Sequence, residues 1–394
     1  MKTNKQLVIL GAGIGGLSVV KELAESGVSL DDVAITIVDD DFSHFLGFTL
    51  PWVMRGWRDE DSVAIRPDTE ALHGIRTVTG VVSHIDAPAH TVSLADSSVI
   101  PFDALVIATG ARNDIERVPG LQAAVDAGTA VHYYSADAAA DAHRALQAFT
   151  GGKLAFLVTS APYRCPVAPY EGALLAADLL RDNGSRRKTE ITVYSPEKQP
   201  MPSAGPYAGQ ELIAMLATND ITFHGESSVQ RIDADERRIE FQDGTTADFE
   251  LLVFIPPHEP SVTLDGPGWI SVDVTTMQTE YPGIFAIGDA TAITSPSGRP
   301  LPKAAIFAKN GAKSAATNVL HYLGLTTENT PLSGEGYCFI DIGGHASAQG
   351  KGDFFTMPHP DIHLSAPSVK LHHDKQDEER DWRALWEDER PLVR

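Results

Sequence analysis

Leu7-Val8-Ile9-Leu10-Gly11-Ala12-Gly13-Ile14-Gly15-Gly16 passes from four apolar residues into a glycine-rich turn and on into a helix-like stretch ending near Gly27. A short buried strand, a turn of glycines and a helix are the opening of a dinucleotide-binding βαβ unit. Gly11 permits the tight turn, Gly13 lets backbone approach a pyrophosphate, and Gly16 lets helix and strand pack closely. The helix N-terminus adds free amides and the positive end of its dipole. The next apolar run, Ala34 to Val38, ends in Asp39, roughly 20 residues on, where an acid accepts hydrogen bonds from a ribose. An ordinary strand-to-helix turn is the alternative, and the matched strand, helix and acid weigh against it.

Two further strand ends bring glycine to the same place. Ala104 to Gly110 (ALVIATG) and Ile284 to Asp289 (IFAIGD) both read as buried strands running into tight turns. The chain is expected to be α/β, with two Rossmann-like dinucleotide-binding domains, an arrangement that resembles the glutathione-reductase type, and a small C-terminal region. The spans are 1–112 with 254–330 for the first domain, 113–253 for the second, and 331–394 for the last. Helices are expected at Ala136 to Phe149, Tyr170 to Leu180, Ala208 to Thr218, Ala304 to Leu320 and Glu378 to Glu387. An insertion is expected around Val53 to Ile75.

Composition sets outer limits. Of 394 residues, 53 are acidic and 31 basic, a net charge of −22, which disfavours nucleic acid and a broadly anionic membrane surface. The acidity suits solubility, a cationic partner or a saline habitat. No apolar run approaches the ~18 residues of a membrane span. Met1 to Gln6 reads as a polar lead rather than a secretory leader, so a cytoplasmic place, or one peripheral to a membrane, is expected. A homo-oligomer is compatible with all of this.

The second domain departs from its template. After the expected strand Lys153 to Thr159 comes Ser160-Ala161-Pro162-Tyr163-Arg164-Cys165-Pro166-Val167-Ala168-Pro169-Tyr170-Glu171. Prolines remove amide donors, and the missing glycines keep backbone away from a pyrophosphate, so no nicotinamide site is expected here. This loop holds one of two cysteines, and the other, Cys338, lies in the strand Tyr337 to Ile342. With no CxxC, neither a thioredoxin motif nor a four-thiolate zinc site is present. Two buried free thiols are the plain alternative. Glu171 is a proton carrier or a surface carboxylate that favours the helix start. His44, His132, His372 and His373 have no spacing that joins them to other ligands, so no metal site is expected.

The glycine loop, Phe48-Thr49-Leu50-Pro51-Trp52-Val53, Arg164-Cys165-Pro166-Val167-Ala168-Pro169-Tyr170-Glu171, Ile287-Gly288-Asp289-Ala290, Leu301-Pro302-Lys303 and Tyr337-Cys338-Phe339-Ile340-Asp341-Ile342-Gly343 together resemble the sulfide:quinone oxidoreductases and the flavoprotein subunit of flavocytochrome c sulfide dehydrogenase. The resemblance spans most of the chain in order. It implies FAD, with Thr109 and Gly110 near its adenosine part, Asp289 bonded to the ribityl chain beside Gly288, and Lys303 near the pyrimidine end of the ring. Pro51 and Val82 complete the implied cofactor set. It also implies Cys165 and Cys338 as a redox pair, with Cys338 the flavin-proximal thiolate.

The implied substrate is sulfide and the implied acceptor a quinone or a c-type cytochrome. Phe339, Phe354 and Phe355 would line a flat acceptor slot, and Trp382, Leu385 and Trp386 an apolar helix face near a membrane. Core packing is the alternative for each aromatic. A third cysteine found in many quinone-reducing members is replaced here by the segment Val131 to Ser135. The cysteine that carries covalent flavin near Phe42 is absent too, so FAD is expected to be noncovalent. An NADH-dependent flavin reductase and a non-catalytic flavin scaffold or sensor with structural cysteines are the competing classes.

Overall fold

The computed structural model describes residues 4–68 and 70–387. The outer ends of the first and last expected spans, 1–3 and 388–394, and the end of the charged stretch Asp374 to Glu389, lie outside the described residues. In chain order the main elements are β1 (Lys5–Leu10), α1 (Ile14–Glu25), β2 (Val33–Asp39), α2 (Leu50–Arg55), β3 (Arg76–Thr79), β4 (Ala104–Ile107), β5 (Ala130–Val131), α3 (Ala136–Ala148), β6 (Gly152–Val158), α4 (Ala168–Asp182), β7 (Thr189–Tyr194), α5 (Pro206–Thr218), β8 (Ile221–His224), β9 (Leu251–Ile255), β10 (Ile284–Ala286), α6 (Ala305–Tyr322), β11 (Glu335–Gly343), β12 (Ala346–Asp353) and α7 (Val369–Trp386).

Two five-stranded parallel sheets organise the molecule, in the orders β10-β4-β1-β2-β3 and β8-β7-β6-β9-β5. Their central strands are buried on both faces, as a sheet covered by helices requires: Leu7 to Leu10, Ala104 to Ile107 and Leu251 to Ile255 are all buried. Parallel pairing puts the C-terminal ends of β1, β4 and β10 on one edge, where Gly11, Gly110 and Gly288 follow. Because β9 pairs with β6, the second sheet runs on to Ile255, just past the expected boundary. The antiparallel pair Ala111–Asn113 and His258–Pro260 then carries the chain between the two units.

The C-terminal hairpin β11–β12 packs on α4 of the second unit, and α7 packs across the hairpin. This helix starts at Val369, well before the expected Glu378. It buries His372, Lys375, Glu379, Trp382 and Trp386, a stripe at helical spacing. Trp382 and Trp386 belong to the core cluster of the first unit. The expected membrane-facing helix face is therefore core. Among the described residues no helix is long and apolar enough to cross a membrane.

Candidate active site

A cleft of about 340 Å³ opens along the edge where the first sheet's strands end. Its walls include Gly11, Gly13, Asp39, Pro51, Thr109, Gly110, Gly288, Asp289, Lys303, Cys165, Cys338, Phe339 and Glu171, so most of the residues expected from sequence meet in one place. At Gly11, φ is +96°, and a Cβ there would lie 2.6 Å from the Ala108 carbonyl oxygen. A Cβ on Gly16 would lie 1.9 Å from the Gly11 oxygen, so this glycine permits the close turn itself, behind the cleft wall. A Cβ on Gly13 would meet nothing within 4 Å, because that position faces open space. The Asp39 carboxylate sits on the same wall and accepts from the Ala12 and Phe42 amides at 2.6 and 2.9 Å, which fixes its direction.

Several expected residues lie elsewhere. Val82 belongs to the strand Val82–Asp86, packs on a separate core cluster and borders a different depression with Arg112, His258 and Trp269. Phe354 is buried and meets Phe307 edge-on, 5.1 Å between ring centroids, while Phe355 packs against the core of the first unit. Both follow the end of β12, where the hairpin turns back into the interior, so only Phe339 of the three reaches the cleft. The ammonium of Lys303 is on the wall but occupied. It donates to the carbonyls of Asp289 (2.8 Å) and Thr291 (3.0 Å) and lies 3.4 Å from the centroid of the Trp269 ring. Burial lowers its pKa to about 8, against the pull of Asp289.

The two cysteines arrive from different elements. Cys165 occupies a left-handed turn (φ +59°) just before α4, where its amide donates to the Lys303 carbonyl (2.7 Å) and its carbonyl accepts from Ala168 (3.0 Å). Two tyrosines pin this loop: Tyr134 Oη donates to the Arg164 carbonyl (2.9 Å) and Tyr133 Oη to that of Ala168 (2.7 Å). Cys338 lies in β11 opposite Gly350. Both are free thiols, half-buried in the cleft. Burial pushes the Cys165 thiol up to about 12, with Glu171 adding to the rise and Lys375 opposing it, and the Cys338 thiol is raised by burial, Cys165 and Glu171. Burial penalises a thiolate but not a disulfide, so this environment suits the uncharged forms of the pair.

Glu171 is not the surface carboxylate that its place at a helix start suggests. It is 1% exposed, and its Oε1 accepts from Lys375 Nζ and from the Asp341 amide (3.0 Å). Burial raises its pKa to about 7 against the attraction of Lys375. Asp341 lies behind it and accepts from Lys375 Nζ (2.7 Å), Trp52 Nε1 (2.6 Å), His372 Nδ1 (2.8 Å) and Ser347 Oγ. The part played by Lys375 and His372 had no signal in the sequence beyond the stripe 372, 375, 379, 382 and 386, which two buried charges disguise, and Trp52 stood out only as part of the segment Phe48 to Val53. His372 is buried and hydrogen-bonded to Asp341, and His44 is half-buried at the cleft and accepts from Trp382 Nε1. In the second unit, the place of a nucleotide loop is taken by Tyr163, buried and donating to Glu197 Oε2 at 2.9 Å.

The family model described as pyridine nucleotide-disulphide oxidoreductase matches residues 5–317, from β1 through most of α6. The chain belongs to this family. It is 24% identical over 305 residues to the mitochondrial sulfide:quinone oxidoreductase of Mus musculus, covering 74% of this chain and 66% of that protein. It is 24% identical over 381 residues to the sulfide-quinone reductase of Aquifex aeolicus, covering 90% and 84%. The solved structure of the Aquifex aeolicus sulfide:quinone oxidoreductase superposes with a TM-score of 0.83 at 20% identity, covering 97% of this chain and 91% of that one.

The family implies FAD, and the cleft fits it. Thr109 Oγ1 is a buried hydroxyl on the wall with no partner within the described residues, and the open space before Gly13 is where a pyrophosphate needs close backbone.

Proposed function

We propose that this protein oxidises sulfide at Cys165 and Cys338 and passes the electrons through noncovalently bound FAD to a quinone. The observation that carries the reading is the meeting of two thiols, a buried carboxyl and a buried ammonium on one wall of a dinucleotide cleft. The sulfide:quinone oxidoreductases among its relatives support the choice of substrate and acceptor. Gly11, Gly13, Asp39, Thr109, Gly110, Gly288 and Asp289 would hold the cofactor, which supplies a two-electron acceptor beside the thiol pair when bound.

Hydrosulfide attacks Sγ of Cys165 in the oxidised pair. A sulfur–sulfur bond forms there as the Cys165–Cys338 bond breaks, leaving a persulfide on Cys165 and a thiolate on Cys338. Lys375 offsets part of the cost of that buried thiolate. Glu171 takes up the sulfide proton, for which a pKa of about 7 suits it.

Anaerobic titration tests the reading. Sulfide is expected to bleach the bound flavin and NADH to leave it oxidised; bleaching by NADH alone would overturn the assignment of both cysteines. Reoxidation by a quinone analogue but not by cytochrome c is the second expected result. Heat or acid denaturation should release the flavin into solution.

Glu171→Gln carries its own expectation. At fixed hydrosulfide concentration, the wild-type bleaching rate should fall as pH drops through about 7, where Glu171 becomes protonated and cannot accept a proton. The variant should be slower by at least about 10²-fold at alkaline pH and should lack that fall. A retained acid limb would remove Glu171 from the proton path.

A further inference from the structure

Glu171 and Asp341 are two buried carboxyls that share one ammonium, Lys375. If both were ionised, a site closed to water would hold an uncompensated negative charge, a costly arrangement. The hydrogen bonds decide which carboxyl yields. Asp341 collects four side-chain donors over its two oxygens: Trp52 Nε1 and Lys375 Nζ on Oδ2, His372 Nδ1 and Ser347 Oγ on Oδ1. The Gln376 amide lies 3.2 Å from His372 Nε2, so with Nε2 as the acceptor the imidazole proton sits on Nδ1 and points at Asp341. Among the described residues Glu171 receives only Lys375 and one backbone amide, and both bonds go to Oε1.

We propose that Asp341 is a positioning residue that holds the charge of Lys375, leaving Glu171 as the carboxyl of the buried pair that gains and loses a proton. The proposal rests on the reading of the cleft as the site of sulfide oxidation and deepens it. The titratable groups that face Glu171 are Tyr133, Tyr134, Cys165 and Cys338 around the cleft, Asp341 from β11 and Lys375 from α7; Glu378 faces Cys338 and Tyr337. Lys375 is the one cation in that set. Against the cost of burial, Lys375, His372 and Ser347 hold the Asp341 carboxyl below the usual carboxylate range, while burial raises that of Glu171. Two carboxyls pushed apart in this way take different parts in proton chemistry.

The test uses the flavin-loaded wild type, Asp341→Asn and Glu171→Gln. Infrared difference spectra across neutral pH read the carbonyl stretch of a buried protonated carboxyl, and the sulfide bleaching rate is followed in parallel at fixed hydrosulfide. Glu197, which accepts from Tyr163 and is also raised by burial to about 7, contributes to every spectrum, so the signal is the wild-type spectrum less that of Glu171→Gln, which should hold one band with a midpoint near 7. In Asp341→Asn the ammonium is left with Glu171 alone, so the midpoint should fall by at least about one unit, and the acid limb of the rate should move with it.

Identical bands in the wild type and Glu171→Gln, or an unmoved midpoint in Asp341→Asn, overturn the proposal. Should Asp341→Asn not fold, the isosteric Glu171→Gln still decides which carboxyl is protonated. If the band behaves as expected and sulfide does not bleach the wild type, the sulfide reading alone falls and the division of charge stands.

Discussion

Replacing either cysteine by serine is expected to abolish sulfide-driven flavin bleaching while the flavin stays bound. A hydroxyl cannot form the sulfur–sulfur bond that hydrosulfide must break, and no other cysteine exists to substitute. Loss of a covalent partner that acts as one of a pair costs the whole reaction, a fall on the order of 10³-fold or more. Structure should be spared. Cys165 is fixed by its backbone bonds to Lys303 and Ala168, which serine keeps, and Cys338 faces a glycine across the hairpin. Stopped-flow absorbance under nitrogen reads the result, and the ratio of flavin to protein reads cofactor retention. Bleaching at the wild-type rate in Cys165→Ser would return both thiols to a structural part.

Gly16→Ala is expected to yield a colourless protein. Its Cβ would fall 1.9 Å from the Gly11 oxygen, a backbone atom held by the tight turn, so the start of α1 has to move away from β1. That shift withdraws the helix N-terminus and the Gly13 amide from the pyrophosphate position. A loss of at least about 10²-fold in affinity, or about 2.7 kcal/mol, is expected. Gly13→Ala separates ligand contact from folding. Its Cβ meets no protein atom within 4 Å, so the apoprotein should keep its melting temperature while flavin binding weakens. Full flavin content in Gly16→Ala would refute this account of the loop.

Local pattern made much of this molecule legible. The βαβ opening, the strand ends at Gly110 and Gly288 and the helix at Ala305–Tyr322 all announce themselves by short-range periodicity and turn chemistry. The cysteines could be singled out because there are only two and one stands in a loop stripped of glycine. Glu171 was ambiguous for a definite reason: the groups that bury it lie 170 and 204 residues further along the chain. A carboxylate in the first turn of a helix looks, locally, like a favourable surface charge.

Helix α7 was read too short for a related reason. Lys375 and Glu379 occupy positions of its buried stripe, so the apolar pattern is broken where polar pairing replaces hydrophobic contact. Phe354 and Phe355 misled in the opposite sense, since aromatic residues near a redox cleft serve packing as readily as binding.

The assembly of the buried charge cluster from α4, β11 and α7 bears on the order of events during synthesis. Domains fold as they leave the ribosome, and a chain grown to residue 340 already has both sheets, the glycine turn and both thiols. It still lacks the ammonium that offsets a buried thiolate and the carboxylate that holds that ammonium in place. Docking of the 369–386 helix brings Lys375 to Glu171 and Trp382 and Trp386 to the core of the first unit, so the charge cluster and that core close in one step.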